Sequence, residues 1–245
     1  MLEYIIISLA VIVGETIGAI IGGGGFVIQP VLMALHLSIE QSIALCVAAS
    51  AGTVLSGLMT FNNNNKVQWR EALYIIPLSA IGAAIGSYIM PLLSSAVLSG
   101  LFLVSAILCT AISWIGKIDI ADDGKENALR SSAAAFLSGI IIAIIGAGSG
   151  ILTLVLIIYL GKKSYVSSLI VRKFIFIPAT AVAIIQYANM GLYSADIFMV
   201  VFCSAIVAGW LGARIALKLN STILTIIFRI ATMLLVIGTV IKQFV

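Results

Sequence analysis

Charged residues are scarce in this sequence. Of its 245 residues only 9% are Asp, Glu, Lys or Arg, whereas 62% are hydrophobic and the mean hydropathy is +1.25. Soluble globular domains carry about 25% charged residues, so this chain lacks the polar side chains that a water-facing surface needs. The composition excludes a large soluble catalytic or nucleic-acid-binding domain and predicts an all-α integral membrane protein.

Metal-binding, disulfide and catalytic patterns are also missing. The sequence has one histidine and three cysteines, and the cysteines lie far apart inside apolar runs, so neither a metal site nor a disulfide framework is predicted. It has no HExxH motif and no pair of intramembrane aspartates, and the serine of AGSG at 147–150 is far in sequence from the only histidine, His36. We predict that the protein is not an enzyme and uses no cofactor.

The basic residues do not form a binding surface for nucleic acid. The formal charge is +4, but the Lys and Arg residues are scattered singly or in pairs among apolar runs. The first run follows Glu3 without a preceding Lys or Arg, so we expect it to be a membrane helix of the mature protein rather than a secretory signal. The lipid bilayer is the expected surrounding, and no obligate protein partner is evident.

The hydrophobic residues form ten runs separated by polar residues, glycine or proline. The runs cover about 4–21, 26–37, 41–61, 71–91, 95–116, 129–146, 151–160, 165–187, 195–217 and 222–243. At about 1.5 Å per residue, the runs 26–37 and 151–160 are too short to cross a hydrocarbon core about 30 Å thick. Each of these two short runs directly follows a cluster of glycines.

The order of elements repeats along the chain. A shift of 125 residues places Gly25 on Gly150, and a shift of 126 places Gly86 on Gly212. In both halves a long run, a glycine cluster, a short run and three more long runs follow one another, with the tenth run completing the second set. We therefore divide the chain into a first membrane repeat at 1–116, a hydrophilic linker at 117–130 and a second membrane repeat at 131–245.

Loop charges predict how the two repeats are oriented, because Lys and Arg are enriched in cytoplasmic loops. The loop 62–70 of the first repeat contains Lys66 and Arg70, whereas the equivalent loop of the second repeat, 188–195, contains neither residue type. The remaining loops reverse in the same sense. This pattern predicts two inverted-topology repeats, each with a glycine-broken re-entrant or discontinuous helix plus three transmembrane helices. In the cell membrane, both termini would lie outside and the linker in the cytoplasm.

The glycine clusters predict an anion-binding site. A short helix that begins at a break inside the membrane presents backbone N–H donors and a positive dipole end, and two such ends meeting near the midplane would bind an anion. Close packing of helices through small residues, as expected for Gly82 and Gly86, is the alternative explanation. The candidate substrate-binding residues at the breaks are Gly23, Gly24, Gly25, Gln29, Gly148, Ser149, Gly150 and Thr153.

Charges inside the apolar runs are the second group of candidates, because such charges are costly and usually face a cavity or a partner. Arg172 and Lys173 lie on adjacent positions, about 100° apart on a helix, so we expect only one of them to face the site. Lys173 is our candidate substrate-binding cation. Glu15 is isolated inside the first run and is either a proton-coupling carboxylate or the ion-pair partner of Arg229, which is similarly isolated in the last run.

Several segments resemble the TauE/SafE sulfite exporter family. They include GAIIGGGGFVIQPVLMAL and VQWREALYIIPLSAIGAAIGSYI in the first repeat, and GAGSGILTLVLIIYLG and RKFIFIPATAVAIIQYANMGL in the second. The resemblance implies a permease for sulfite, sulfonates or related organosulfur anions. Lys173 matches a lysine of the family pattern, whereas Phe176 and Thr180 occupy positions that the family commonly fills with Asn.

We therefore predict a membrane transporter that carries a small anion by alternating access around a midplane site at the two helix breaks. Protons are the candidate coupling ion. A passive anion or small-solute channel is the alternative function, because the same broken helices could line a pore.

Overall fold

The computed structural model describes residues 2–62, 69–115, 128–161 and 165–218, and every regular element within these ranges is helical. A 3₁₀ turn at Met90–Leu92 follows the fourth α-helix. The α-helices are α1 at Leu2–Ile21, α2 at Gly25–Ala34, α3 at Ile39–Asn62, α4 at Trp69–Ile89, α5 at Ser95–Ile115, α6 at Ala128–Ile145, α7 at Ser149–Tyr159, α8 at Tyr165–Asn189 and α9 at Ala195–Lys218.

The predicted apolar runs coincide with these helices. Nine of the ten runs correspond to α1 through α9 in order, and the tenth, 222–243, lies outside the described residues. The first short helix ends earlier than predicted, at Ala34 instead of residue 37, because His36 takes a left-handed conformation with φ of 66°. The linker at 117–130 also lies outside the described residues, except that its last three residues form the start of α6.

Six of the helices are long and apolar enough to cross a membrane, and the chain is a multi-pass integral membrane protein. These spans are Leu2–Ile20, Ile39–Gly57, Ala72–Leu92, Ala128–Ile145, Ile170–Asn189 and Ala195–Ile215. By contrast α2 and α7 have 10 and 11 residues, so each is only about 15 Å long. Each of these two helices is therefore too short to cross the hydrocarbon core of a membrane, as predicted from the sequence.

Several extensive helix–helix contacts join one half of the chain to the other. In the first half α4 packs against α6 and α8 of the second half, and in the second half α9 packs against α1 and α3 of the first. The predicted correspondence pairs α1 with α6, α3 with α8 and α4 with α9, so each of these contacts has its counterpart. The recurrence supports an internal repeat, while the inverted relation of the two halves stays a prediction.

Glycines allow the closest of these helix–helix contacts. A Cβ on Gly86 of α4 would lie 2.7 Å from the carbonyl oxygen of Ile140 in α6, and a Cβ on Gly139 of α6 would lie 2.8 Å from the backbone nitrogen of Ala83. Gly82 lies equally close to the backbone at Phe136. The expectation that Gly82 and Gly86 serve close packing is confirmed, since backbone atoms of α6 and the Cβ of Ala143 fill the space beside them.

We expect Gly139→Ala to destabilise the protein, because the added methyl group meets backbone atoms of α4 that cannot rotate away. Overpacking of this kind costs about 1–3 kcal/mol, and each kcal/mol lowers the melting temperature by about 2–4 °C in a chain of this size. Thermal unfolding in detergent measures the change. Gly100→Ala in α5 is the matched control, since no atom lies within 4 Å of its Cβ position, and equal melting temperatures for both variants would contradict the expectation.

Candidate functional site

Two breaks in the helices lie at the centre of the candidate site. Between α1 and α2 the chain turns at Gly22, whose φ is 96°, and between α6 and α7 it turns at Gly146 and Gly148, whose φ values are 64° and 76°. Such left-handed conformations are accessible to glycine at little cost and are strained for other residues. The glycine clusters therefore end one helix and start another within a few residues.

The two breaks pack directly against each other. Gly22 meets Gly150, and Gly25 meets Ala147, where a Cβ on Gly25 would lie 2.6 Å from the Ala147 Cα. The ring of Phe26 covers Gly148. A shift of 125 residues converts the first of these pairs into the second, since Gly22 corresponds to Ala147 and Gly25 to Gly150. The same kind of contact is thus made twice, once by each break.

The contacts of Phe26 with Gly148 and of Ile151 with Gly23 are related by the same shift of 125 residues. Ile151 packs against Gly23, where a Cβ would lie 3.0 Å from the Ile151 Cδ1, and Ile151 is the residue equivalent to Phe26. Each break thus presents a glycine to a large side chain of the other break. The backbone of the two breaks is shielded by protein on this side, which is the condition for non-helical backbone at membrane depth.

A small cavity lies where the breaks meet α1, α3 and α8. Its volume is about 20 Å³, and since about 10–15 Å³ of such space admits one water molecule, the cavity must enlarge to hold a polyatomic ion. The breaks contribute Gly22, Gly24, Gly25, Gly146, Gly148, Ser149 and Gly150 to its wall, and the long helices contribute Glu15, Gly18, Ser50, Thr53, Val54, Arg172, Lys173 and Phe176. Polar and charged groups are concentrated there inside an otherwise apolar protein.

The first turns of α2 and α7 reach this wall. The N–H groups of Phe26 and Val27 donate to the carbonyls of Gly23 and Gly24, and those of Ile151 and Leu152 donate to the carbonyl of Gly148. The two helix starts therefore present the positive end of the helix dipole to the cavity. The Ser149 hydroxyl donates to the Gly146 carbonyl at 2.7 Å, so it satisfies an acceptor at the break and leaves its lone pairs available. The two helix starts together favour a negative charge in the cavity.

Lys173 is one of two cations that line this cavity. Its side chain is only 1% exposed, and its Nζ has no hydrogen-bond partner among the residues that the structure describes. Gly57 of α3 makes room for the ammonium group, because a Cβ there would lie 2.7 Å from Nζ. A buried charge without a hydrogen bond is costly, so the ammonium group is disposed to bind an anion.

Arg172 differs from its neighbour in what it contacts. Its Nη2 donates to the Gly18 carbonyl at 3.4 Å, and its Nη1 occupies the space beside Gly22. The guanidinium group therefore stabilises the last turn of α1, where a helix dipole favours a cation. Both Arg172 and Lys173 line the cavity. The expectation that only one of them would do so is wrong, because the long arginine side chain reaches the end of α1.

Among the described residues that line the cavity, Glu15 is the only carboxylate. It is 3% exposed, and its oxygens lie against Gly18 and Gly24, where added Cβ atoms would be 3.1 and 3.0 Å away. The Thr53 hydroxyl of α3 faces the carboxyl group, and Lys173 and Arg172 attract it electrostatically. Glycine at 18 and 24 thus leaves the space in which a buried carboxyl group reaches the start of α2.

The structure brings together six of the nine predicted substrate-binding residues. Gly24, Gly25, Gly148, Ser149, Gly150 and Lys173 line the cavity. Gly23, Gln29 and Thr153 do not belong to its wall, although all three are buried. The side-chain polar atoms of Gln29 and Thr153 find no hydrogen-bond partner within the described ranges, and their role in binding stays a prediction. Arg229, the alternative partner of Glu15, lies outside the described residues.

Sequence reasoning missed the contribution of α3. Ser50 and Thr53 line the cavity and Gly57 contacts Lys173, while Cys46 places its sulfur 4.0 Å from the Gly25 carbonyl oxygen. Positions 46, 50, 53 and 57 recur at the spacing of one helix face. This stripe of small or weakly polar residues in an apolar helix was the signal that could have identified the third wall of the site.

Comparison with known proteins gives one match. The family model described as Sulfite exporter TauE/SafE matches residues 6–239, which is nearly the whole chain. No curated protein and no solved structure matches the chain.

We expect Gly57→Ala to weaken anion binding without unfolding the protein. The new methyl group displaces the end of the flexible Lys173 side chain, so its packing cost is small, while the ammonium group moves away from its position in the cavity. The apparent Kd for sulfite should rise roughly tenfold, the equivalent of one charged hydrogen bond made poorly. Isothermal titration of the purified protein measures it, with Gly100→Ala as control. An unchanged Kd would contradict the placement of the anion at Lys173.

Proposed function

The chain belongs to the TauE/SafE sulfite exporter family, a family of membrane transporters of sulfur anions, and from this premise we propose that it carries sulfite, a sulfonate or a related organosulfur anion. The anion binds in the cavity between the two helix breaks and crosses the membrane by alternating access. Protons are the proposed coupling ion.

The single observation that carries this proposal is the position of Lys173. A buried ammonium group without a hydrogen-bond partner in the described part of the chain lies beside the starts of two short helices. Both features favour negative charge in the space between them. Their coincidence at one cavity favours an anion over a neutral or cationic substrate.

The donors around the cavity suit an oxyanion. Sulfite and sulfonates present three negatively polarised oxygens, and the cavity offers the Lys173 ammonium group and the positive ends of two helix dipoles. The hydroxyls of Ser149 and Thr53 already donate to the carbonyls of Gly146 and Ala205. A sulfur oxyanion exceeds the present 20 Å³, so binding requires that the walls separate. Phe176 and Val54 are the apolar members of the wall and would contact the substituent of a sulfonate.

The contact between the two breaks suggests how access would alternate. Gly22 meets Gly150 and Gly25 meets Ala147 across the boundary of the halves, so no large interlocking side chains join these two points. Rocking of one half against the other would open the cavity first to one side and then to the other. The contacts of Phe26 with Gly148 and of Ile151 with Gly23 would part or re-form in each cycle.

A passive anion channel is the alternative, because broken helices with positive ends could also line a pore. The measured flux distinguishes the two functions. A flux that saturates with substrate concentration and is stimulated by substrate on the opposite side would identify a carrier. The flux through a channel would show neither property.

Transport can be tested in proteoliposomes that contain the full-length protein. Sulfite, thiosulfate, methanesulfonate and chloride are offered with and without a pH gradient, and we expect saturable flux of at least one sulfur anion that exceeds chloride flux. Lys173→Met and Ser149→Leu should each lower the initial rate by about 100-fold, because the first removes a buried charge partner and the second fills the cavity. Arg214→Met is the control, since Arg214 is an exposed cation stacked on Trp210. Normal flux in both cavity variants would contradict the assignment of the site.

The orientation in the membrane is a separate proposal. We place the protein in the cell membrane with both termini outside and the 117–130 linker in the cytoplasm, because Lys66 and Arg70 fall in a loop whose counterpart in the second repeat lacks both residue types. Single cysteines introduced into the linker of a variant without native cysteines should react with a membrane-impermeant maleimide only after the cells are opened. Labelling of intact cells at these positions would show that the linker lies outside and would contradict this orientation.

A further inference from the structure

Glu15 and Lys173 line the same cavity and attract each other without a hydrogen bond between them. The carboxyl group lies against Gly24, at the start of α2, so it also faces the place where the helix dipole favours an anion. An ionised Glu15 therefore uses the same two sources of positive potential, the ammonium group and the helix start, that a substrate anion would use. Carboxylate and substrate compete for one electrostatic site.

The other charged and titratable groups around Glu15 do not remove this competition. On α8, Arg172 is engaged with the Gly18 carbonyl and the end of α1, and on α3, Cys46 is a buried thiol near the Gly25 carbonyl. Within the described residues that line the cavity, α2, α3 and α7 contribute no Asp, Glu, Lys or Arg. Two negative charges in this small space would be compensated only in part, because like charges at close range in a desolvated site repel strongly.

We propose that Glu15 binds a proton whenever the anion occupies the cavity, so that the protein carries one proton together with each anion. This inference rests on the proposed function and names the residue that couples it. The proton is taken up by the carboxylate from the side on which the anion enters, and it leaves on the side on which the anion is released. Lys173 is neutralised by the substrate in the loaded protein and by ionised Glu15 in the empty one.

Carrying a proton with the anion determines the net charge that crosses the membrane in each cycle. For a monovalent anion, one negative charge and one proton cross together, and the transport cycle is electroneutral. Glu15→Gln keeps a neutral hydrogen-bonding group of the same size in the cavity but cannot release a proton. In that variant the anion crosses alone, so flux should follow the membrane potential and lose its response to a pH gradient.

The experiment uses proteoliposomes with the full-length protein and methanesulfonate or thiosulfate, whose charges do not change between mildly acidic and mildly alkaline pH. In the wild-type protein we expect a pH gradient to drive accumulation of methanesulfonate and a potassium diffusion potential to have no effect. Its apparent Kd should rise by up to about tenfold per pH unit on the alkaline side, because binding requires a protonated Glu15. Glu15→Gln should not accumulate methanesulfonate in response to a pH gradient and should accumulate it in response to the diffusion potential.

Glu3→Gln is the matched control, because it is the same substitution at an exposed position of the same helix, and it should behave as the wild type does. If Glu15→Gln still accumulates methanesulfonate in response to a pH gradient, the proposal is wrong. It is also wrong if Glu15→Gln fails to fold and the double variant with Arg229→Gln folds, since the carboxylate would then belong to a structural ion pair. Absence of flux of every sulfur anion in the wild-type protein would overturn the proposed function itself.

Discussion

The hydrocarbon core of a membrane gives backbone N–H and C=O groups no water to bond with, and this constraint determines where the helices of this protein can break. Both described breaks lie at points where protein covers them, and each is covered mainly by the other. Gly22 against Gly150 and Gly25 against Ala147 leave no gap for lipid. The long helices around them follow from the same requirement, because only helices satisfy their own backbone across the full thickness.

The covered breaks also explain why the charges are where they are. A helix that stops inside the protein exposes a carbonyl end, which Arg172 stabilises at Gly18, and the helix that starts next to it exposes an N–H end, against which Glu15 lies. Lys173 then balances Glu15 across the cavity. The scarcity of charge noted in the sequence is thus matched by a concentration of charge beside the two described breaks between α1 and α2 and between α6 and α7.

Much of this fold could be predicted from the sequence, because membrane helices are long apolar runs and glycine clusters between them mark breaks. The end of α2 was misplaced because His36 adopts a conformation that local sequence rarely indicates for a residue other than glycine. For the site, Lys173 and Glu15 could be predicted because intramembrane charges stand out. The wall formed by α3 was missed although its small and weakly polar residues recur on one helix face, because residues such as Ser50 and Thr53 look the same whether they pack against a helix or face a cavity.

In the proposed alternating-access cycle, the pairing of Phe26 with Gly148 and of Ile151 with Gly23 has a consequence for the unloaded protein. A carrier made of two identical halves in opposite orientation would hold its inward-facing and outward-facing states at equal free energy. Here one break inserts an aromatic ring where the other inserts an aliphatic side chain, and Lys173 has an alanine, Ala48, at the equivalent position of the first half. The inward-facing and outward-facing states of the unloaded protein therefore differ in free energy, and we expect the unloaded protein to populate mainly one of them.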